Sequence, residues 1–379
     1  MSPSCDFSSI CFPNSRENRI FVQEFTYHSS VMKHKSRQKA LVAAAVLVLA
    51  MAGVGYYFLF SSIVKGDQTA YLYIDNDDTA DSVYTKMEPL VASHGMKAFR
   101  MLAGFTGFEQ HIHTGRYAIK PGMGALSAFR HIKNGQQEPV KLTIPPVRTL
   151  DRLAAEVSKK LMIDSLELYK ALTNEQVCRK LGYDTATIVC LFIPDTYDVY
   201  WNTPVDKFME RMKKESEKFW TDDRQEKARQ MKMTPEQVMT LASIVDEETA
   251  NDGEKPMIAG MYYNRLMLRN AEYPNGMPLQ ADPTVKFAMK RFELKRIYQD
   301  MLRYPSPYNT YVNTGLPPGP IRIASIAGID AVLNHTKHNY LYMCAKEDFS
   351  GTHNFAATYQ EHLQNAARYA KALNERGIK

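Results

Sequence analysis

Between Ala40 and Val64 the chain carries no charged side chain. Built as a helix, this run is about 37 Å long, more than the roughly 30 Å hydrocarbon core of a bilayer. Lys33, Lys35, Arg37 and Lys39 crowd its N-terminal flank. The positive-inside rule then keeps residues 1–39 cytoplasmic and sends everything after Lys65 across the membrane. Tyr56 and Tyr57 suit the outer interfacial belt. A cleaved signal peptide, with Ala50-Met-Ala52 as its small-residue site, is the competing reading. The apolar run continues about three turns past that point, which a signal peptide does not need, so an uncleaved anchor over 40–64 is expected. Met32, followed by Lys33-His-Lys35, is a more natural start than Met1. The first 31 residues read either as a leader from an over-long frame or as a disordered cytoplasmic tail.

The whole chain has 379 residues, enough for about two domains beyond the anchor. A net charge of +6 suits contact with an acidic polymer or an anionic membrane surface. No basic run is interleaved with aromatics, so a nucleic-acid partner is not expected. Cys5, Cys11, Cys178, Cys190 and Cys344 form no CxxC pair, which argues against zinc. Cys178 and Cys190 either pair or stay as buried thiols, the default for cysteine. His335 and His338 stand as HxxH with no neighbouring acid or cysteine, so neither a metal nor another cofactor is expected.

The exported part reads as α+β. Over 65–145, strand-like pieces at 71–74, 115–119 and 140–144 surround helical patterns. One runs through Val83, Met87, Leu90 and Val91, another through Leu126, Phe129 and Ile132. This fits a compact module with nothing catalytic in it. From 146 to 379 the pattern is mostly helical, over 150–162, 164–173, 205–231, 235–250, 254–269 and 356–375, with long loops and short strands between. The stretch 270–320 is loop-rich and too long for idle connection.

Within this half, Leu241-Ala-Ser-Ile-Val-Asp-Glu-Glu-Thr-Ala250 sets three consecutive acids at the end of an apolar helical pattern. Thr234-Pro-Glu-Gln237 is a helix start, with a Thr cap, Pro at the first position and a capping-box Gln. Val238, Leu241, Ala242 and Val245 then share one face. At about 100° per residue Glu248 falls on that stripe, Glu247 on roughly the opposite side and Asp246 at the edge. Glu247 and Asp246 then belong to water, Glu247 solvated or paired with a lysine. Glu248 either ends the helix in solvent or is a carboxyl pressed against apolar surface, which keeps its proton near neutral pH.

Several further segments are dense in groups that hydrogen-bond sugars, alongside aromatics that pack on sugar rings. Together with the helix they resemble the YceG-like, or MltG, family of endolytic murein transglycosylases. The resemblance rests on Phe192-Ile-Pro-Asp-Thr-Tyr197, Ala242-Ser-Ile-Val-Asp-Glu-Glu-Thr249, Asn264-Arg-Leu266, Leu279-Gln-Ala-Asp-Pro-Thr-Val285, Tyr308-Asn-Thr-Tyr311, Thr314-Gly-Leu-Pro-Pro-Gly319, Tyr340-Leu-Tyr342 and His353-Asn-Phe355, in the family's order. The single N-terminal anchor matches too, and 65–145 resembles the family's LysM-like module. Three departures stand out. Asp246 replaces the first Glu of the family's E-x-E pair, the stretch between Leu268 and Leu279 is long, and Pro145-Pro-Val147 replaces Pro-Glu-Gly.

The resemblance implies cleavage of the β-1,4 bond between N-acetylmuramic acid and N-acetylglucosamine without water, leaving 1,6-anhydro ends on nascent strands. Glu248, the second of the pair, then serves as both acid and base. Asp246, Asn264, Arg265, Gln280, Asp282, Thr284, Tyr308, Asn309, Thr310, Tyr311 and His353 are implied to support it or to bind glycan. Peptidoglycan strands and the cytoplasmic membrane are the implied partners, with glycosyltransferase and transpeptidase synthases implied by the family alone. The alternatives are a hydrolytic muramidase using Asp246 or Asp282 as second carboxylate, and a non-catalytic peptidoglycan-binding scaffold.

Overall fold

The computed structural model describes residues 16–294 and 296–377. Cys5, Cys11 and the residues around Met1 lie outside the described residues. Helix α1 (Arg16–Phe60) carries the apolar run, and its part Arg37–Phe60 is long and apolar enough to cross a membrane. The Leu and Val side chains from Leu41 to Val54 are exposed, Leu49 by 71%. The span is shorter than the uncharged run. Ser61 and Ser62 end the helix, and Ser62 bridges to Gly124. Ile63 donates its N–H to Met123 O at 3.0 Å and accepts from Ala92 N. Ile63 and Val64 are therefore soluble-side core, with Ile63 fully buried. The helix also extends back to Arg16, where a tail or leader was expected.

Two compact units follow from the chain's own packing. The first takes the residues up to Leu72 with Asp77–His113 and Tyr117–Gln136. Strand β1 (Ala70–Ile74) pairs with β2 (Gly115–Ile119), with helices α2 (Ala80–Met87) and α3 (Ser93–Thr106) between them and α4 (Ala125–Lys133) after. The helix expected to run to Val91 stops at Met87, next to Pro89, which has no N–H to continue it. Leu72, Val83, Met87, Ile119 and Ile132 fill the core around Phe99, Phe108 and Phe129, whose rings lie 5.2–5.9 Å apart.

The second unit is mainly 137–379. Strand β3 (Val140–Thr143), read from sequence as closing the first module, pairs antiparallel with β4 (Thr196–Val199). Helices α5 (Leu150–Ser158), α6 (Ser165–Thr173) and α7 (Glu175–Leu181) lie between these strands in the chain. The single helix expected over 205–231 is two, α8 (Val205–Phe219) and α9 (Asp222–Gln230). Thr221 separates them, because its side chain accepts from Arg224 N and caps α9. Helices α10 (Pro235–Glu248) and α11 (Lys255–Met267) follow, then α12 (Asp282–Met289) inside the stretch expected to be loop, and α13 (Ile326–Leu333). A hairpin of β5 (Tyr342–Ala345) and β6 (His353–Ala356) and helix α14 (Tyr359–Glu375) end the unit.

Helix α10 starts as its sequence dictates. Thr234 and Gln237 exchange side-chain and backbone hydrogen bonds at 3.3 and 2.9 Å, with Pro235 at the first helical position. Beyond that start, every residue from Val238 to Val245 is buried, not only the expected stripe. Ile258, Tyr262, Leu279 and Ile329 pack in the same core. The burial of this central helix on every face up to Val245 changes the reading of the three acids that follow.

Candidate active site

All three acids at the end of α10 are sunk into protein, and their partners distinguish them. The side chain of Asp246 is only 3% exposed. It accepts from Ser325 N at 2.6 Å and Ser325 Oγ at 2.8 Å, and pairs with Lys255 Nζ at 2.7 Å. It thereby ties α10 to the start of α13 and to α11. The Glu247 side chain, 11% exposed, takes a two-point contact from Arg148 at 2.9 and 2.8 Å and a third bond from Arg322 at 3.0 Å. The hydrogen-bonded carboxylate holds the Arg148 guanidinium above its usual range. Glu247 is thus neither solvated nor paired with lysine, because two arginines close over it.

Glu248 pairs with no cation among the described residues. Its Oε1 accepts from Tyr262 Oη at 2.7 Å, and no hydrogen bond from the described residues reaches Oε2. The residue remains partly exposed while protein crowds its carboxyl. Burial raises its pKa to about 7, the Asp282 charge adds to the rise, and the Tyr262 bond, Lys286 and Arg265 oppose it. The unpaired carbonyls at the end of α10 also disfavour a negative charge there. The outcome is a carboxyl that shares its proton with solvent near neutral pH, the property a general acid needs.

Three elements surround Glu248. Helix α11 supplies Tyr262 and, one turn on, Arg265, which is 7% exposed. Arg265 donates to Leu279 O at 2.7 Å and Pro278 O at 3.3 Å, to Leu341 O and to Gln280 Oε1 at 3.5 Å, and lies over the Tyr342 ring. It fastens the segment leading into α12. Helix α12 begins with Asp282, whose Oδ1 accepts from Tyr311 Oη at 2.6 Å. Lys286 follows one turn later on the same face.

Behind these groups the polar residues brace the backbone. Gln280 is held at φ +52°, a left-handed conformation costly for a side chain, and its N–H donates to Thr310 O. Thr310 Oγ1 accepts from Ala281 N at 3.0 Å and meets Thr284 Oγ1 at 2.9 Å, both threonines being fully buried. Asn309, also fully buried, donates to Leu302 O and Tyr304 O and accepts from Tyr311 N. Asn264 donates to His338 O and Tyr340 O.

The structure therefore gathers Glu248, Arg265, Gln280, Asp282 and Tyr311 into one place. Thr284, Asn309 and Thr310 support it from within, and Asn264 holds the 338–340 segment. Tyr308 packs its ring on Phe287 at 4.8 Å instead, in the core. His353 pairs with Glu254 through its N–H at 2.6 Å and its ring at 3.1 Å. His335 and His338 each bond a backbone carbonyl, and no metal-type cluster occurs among the described residues. Cys178 and Cys190 are buried free thiols. Tyr262 and Lys286 were not singled out from the sequence. Their signal was helical spacing, Tyr262 three residues before Arg265 and Lys286 four after Asp282.

The YceG-like family model matches residues 72–368. The chain belongs to the YceG-like family. A Bacillus subtilis relative, named endolytic murein transglycosylase, is 26% identical over 313 residues, spanning 78% of this chain and 82% of its own. A Streptococcus pneumoniae protein of the same name is 25% identical over 384 residues, 89% of this chain and 66% of the relative. The crystal structure of a yceG-like protein from Listeria monocytogenes superposes with a TM-score of 0.50, covering 79% of this chain and 99% of that one at 24% identity. This last likeness concerns the fold alone. In this YceG-like chain the matched region contains every group gathered around Glu248.

Proposed function

We propose that this YceG-like protein is a membrane-anchored murein transglycosylase that cuts glycan strands internally without water, with Glu248 as its acid and base. The observation that carries this is a lone carboxyl with its pKa raised to about 7, directly after two acids, Asp246 and Glu247, that are each bound to cations. The relatives' name, endolytic murein transglycosylase, supports the same reaction class.

Ordinary glycosidases use two carboxylates, one as acid and one as nucleophile or base. A hydroxyl held on the substrate replaces the second, because its effective concentration is already high. In the proposed step Glu248 gives its proton to the glycosidic oxygen as the bond from the muramic acid anomeric carbon to that oxygen breaks. The 6-hydroxyl oxygen of the same sugar bonds to the anomeric carbon and yields its proton to the Glu248 carboxylate. The proton count closes, and the products are a free hydroxyl and a 1,6-anhydro end. Tyr262 fixes the carboxyl's direction, while Arg265 and the buried Thr284–Thr310 pair hold the Gln280–Asp282 segment beside it.

The apolar part of α1, with basic residues before it, is read as the anchor, the two units lying on the far side of the cytoplasmic membrane. The β–α–α–β order of the first unit supports its reading as a LysM-like module. Glycan strands are the substrate and the strand-building synthases the natural neighbours. The test is product analysis on uncrosslinked nascent glycan, wild type against Glu248→Gln. Anhydro-ended fragments should vanish in the variant while its fold persists, and an unchanged yield would sink the assignment.

A hydrolytic reading keeps one observation, the Asp282 carboxylate acting on Glu248. Asp246 does not serve it, being clamped by Lys255 and Ser325. Products carrying one added water would favour hydrolysis.

A further inference from the structure

Where α1 leaves its apolar segment, the first unit holds a cavity of about 670 Å³, within the size range of small-molecule sites. It has two kinds of wall. Leu59 and Phe60, the last residues of α1, form one side with Met123 and Leu126. Lys120, Arg130 and His131 supply the polar side with Ser127, Asn134 and Gln136, and no acidic residue lines it among the described residues. Arg130 and His131 stand in the last turn of α4, and Lys120 opens the turn before it.

The helix end is fixed against this unit. A Cβ on Gly124 would lie 2.6 Å from Leu59 O and from Phe60 Cα, so glycine lets the two backbones touch. Gly122 N donates to Ser62 Oγ at 3.1 Å, and Ile63 N to Met123 O at 3.0 Å. The Tyr57 ring lies tilted against that of His94 at 4.8 Å, and Ser61 Oγ meets His94 Nε2 at 3.0 Å. The cavity therefore keeps its depth relative to the span, just past Phe60. If Arg37–Phe60 crosses the bilayer, that depth is the headgroup layer.

We propose that this cavity binds the headgroup of an anionic phospholipid. The basic side takes the phosphate, and the Leu59–Phe60 side meets the top of the acyl chains. The inference rests on the membrane-anchor reading but not on the direction of insertion. Bound in this way, a lipid steadies the first unit at a set height over the membrane.

The test uses the full chain in bilayer discs of equimolar phosphatidylglycerol and phosphatidylcholine, with native mass spectrometry reading the lipid that stays bound. Phosphatidylglycerol should be retained in preference. Arg130→Gln should weaken retention on the order of fivefold, the size of one basic residue at an anionic surface. Lys133→Gln, on α4 but outside the lining, should change nothing. Far-UV circular dichroism confirms that each variant is folded, and Arg130→Lys should keep most of the retention if a variant fails. Equal retention of both lipids, or an effect of Lys133→Gln as large as that of Arg130→Gln, would overturn the site. Displacement of the lipid by inorganic phosphate at equal concentration would make it a soluble-anion site and also overturn it. Alkaline extraction of wild type from membranes would instead refute the anchor itself.

Discussion

Replacing Glu248 by Gln tests the protonation argument through stability as well as turnover. The carboxyl ordinarily titrates near 4.5 and in the fold near 7. A difference of about 2.5 units corresponds to about 3 kcal/mol between its two protonation states. The sign follows from proton binding. Between these two values the folded chain holds a proton that the unfolded chain has released, so stability falls as pH rises through that window and the full cost is present above it. Gln has the neutral form's shape and keeps an oxygen for Tyr262 Oη, yet it cannot ionise. At about pH 4.5 the two proteins should therefore be nearly equal in stability, and by about pH 8 the variant should be more stable by about 3 kcal/mol. For a unit of this size that is a gain of roughly 6–12 °C in Tm. The assay is thermal unfolding of both full chains in the same detergent across that pH range, reading the Tm difference. The gap should open with pH as the wild-type carboxyl ionises. A constant gap, or one that opens below the ordinary carboxylate range, would refute the claim that Glu248 is held protonated. The variant should meanwhile lack anhydro-product formation at every pH.

The groups around Glu248 should move its titration in opposite directions. Tyr262→Phe removes a bond that favours the carboxylate, so the alkaline limb of the pH–activity profile should move up. Asp282→Asn removes a neighbouring negative charge, so the same limb should move down. Shifts of the same sign in both variants would contradict the site's electrostatics. Asp246→Asn should cost on the order of 2–4 kcal/mol by chemical denaturation, because Lys255 loses its buried charged partner and keeps the exposed Asp252 and the Ser325 hydroxyl. Lys255→Met added to it should recover much of that stability and activity together. Activity that stays lost after stability returns would make Asp246 part of the chemistry.

The start of α10 was legible in the sequence, because capping chemistry and helical spacing are local. The sequence failed on Asp246 and Glu247. The wheel placed them toward water, and Arg148, Arg322, Ser325 and Lys255 that cover them come from distant parts of the chain. Local pattern cannot show which cation returns to which acid. The short strands expected in this half could not be placed for the same reason: β4 to β6 have four residues each, and pairing rather than composition makes them strands. Helix α12 was lost inside a loop-rich stretch, although Pro283 at its first turn is a start signal. At the other end, composition overstated the span. Ile63 and Val64 are as apolar as the helix before them, and only their bridges to the first unit's loops show that they belong to its core.

Three adjacent carboxylates at one helix end would repel one another and tear the end of α10 from the core if all were charged and unpaired. The fold treats them unequally. Asp246 is neutralised by Lys255 and also serves α13, accepting the N–H and hydroxyl of its cap residue Ser325. That position suits the shorter acid. A Cβ on Gly328 would already lie 2.6 Å from the Asp246 carboxylate, so a longer side chain there has no slack to use. Glu247 is overcompensated by two arginines, one from just after β3 and one from just before α13, so it joins parts of the unit far apart in sequence. With both neighbours matched, their charges act weakly on Glu248, and its own burial sets its pKa. Asp282, whose charge does reach it, is turned toward the Tyr311 hydroxyl. The two paired acids therefore hold the helix end in place, and the third, with no cation among the described residues and its carboxyl crowded by protein, keeps a pKa raised to about 7.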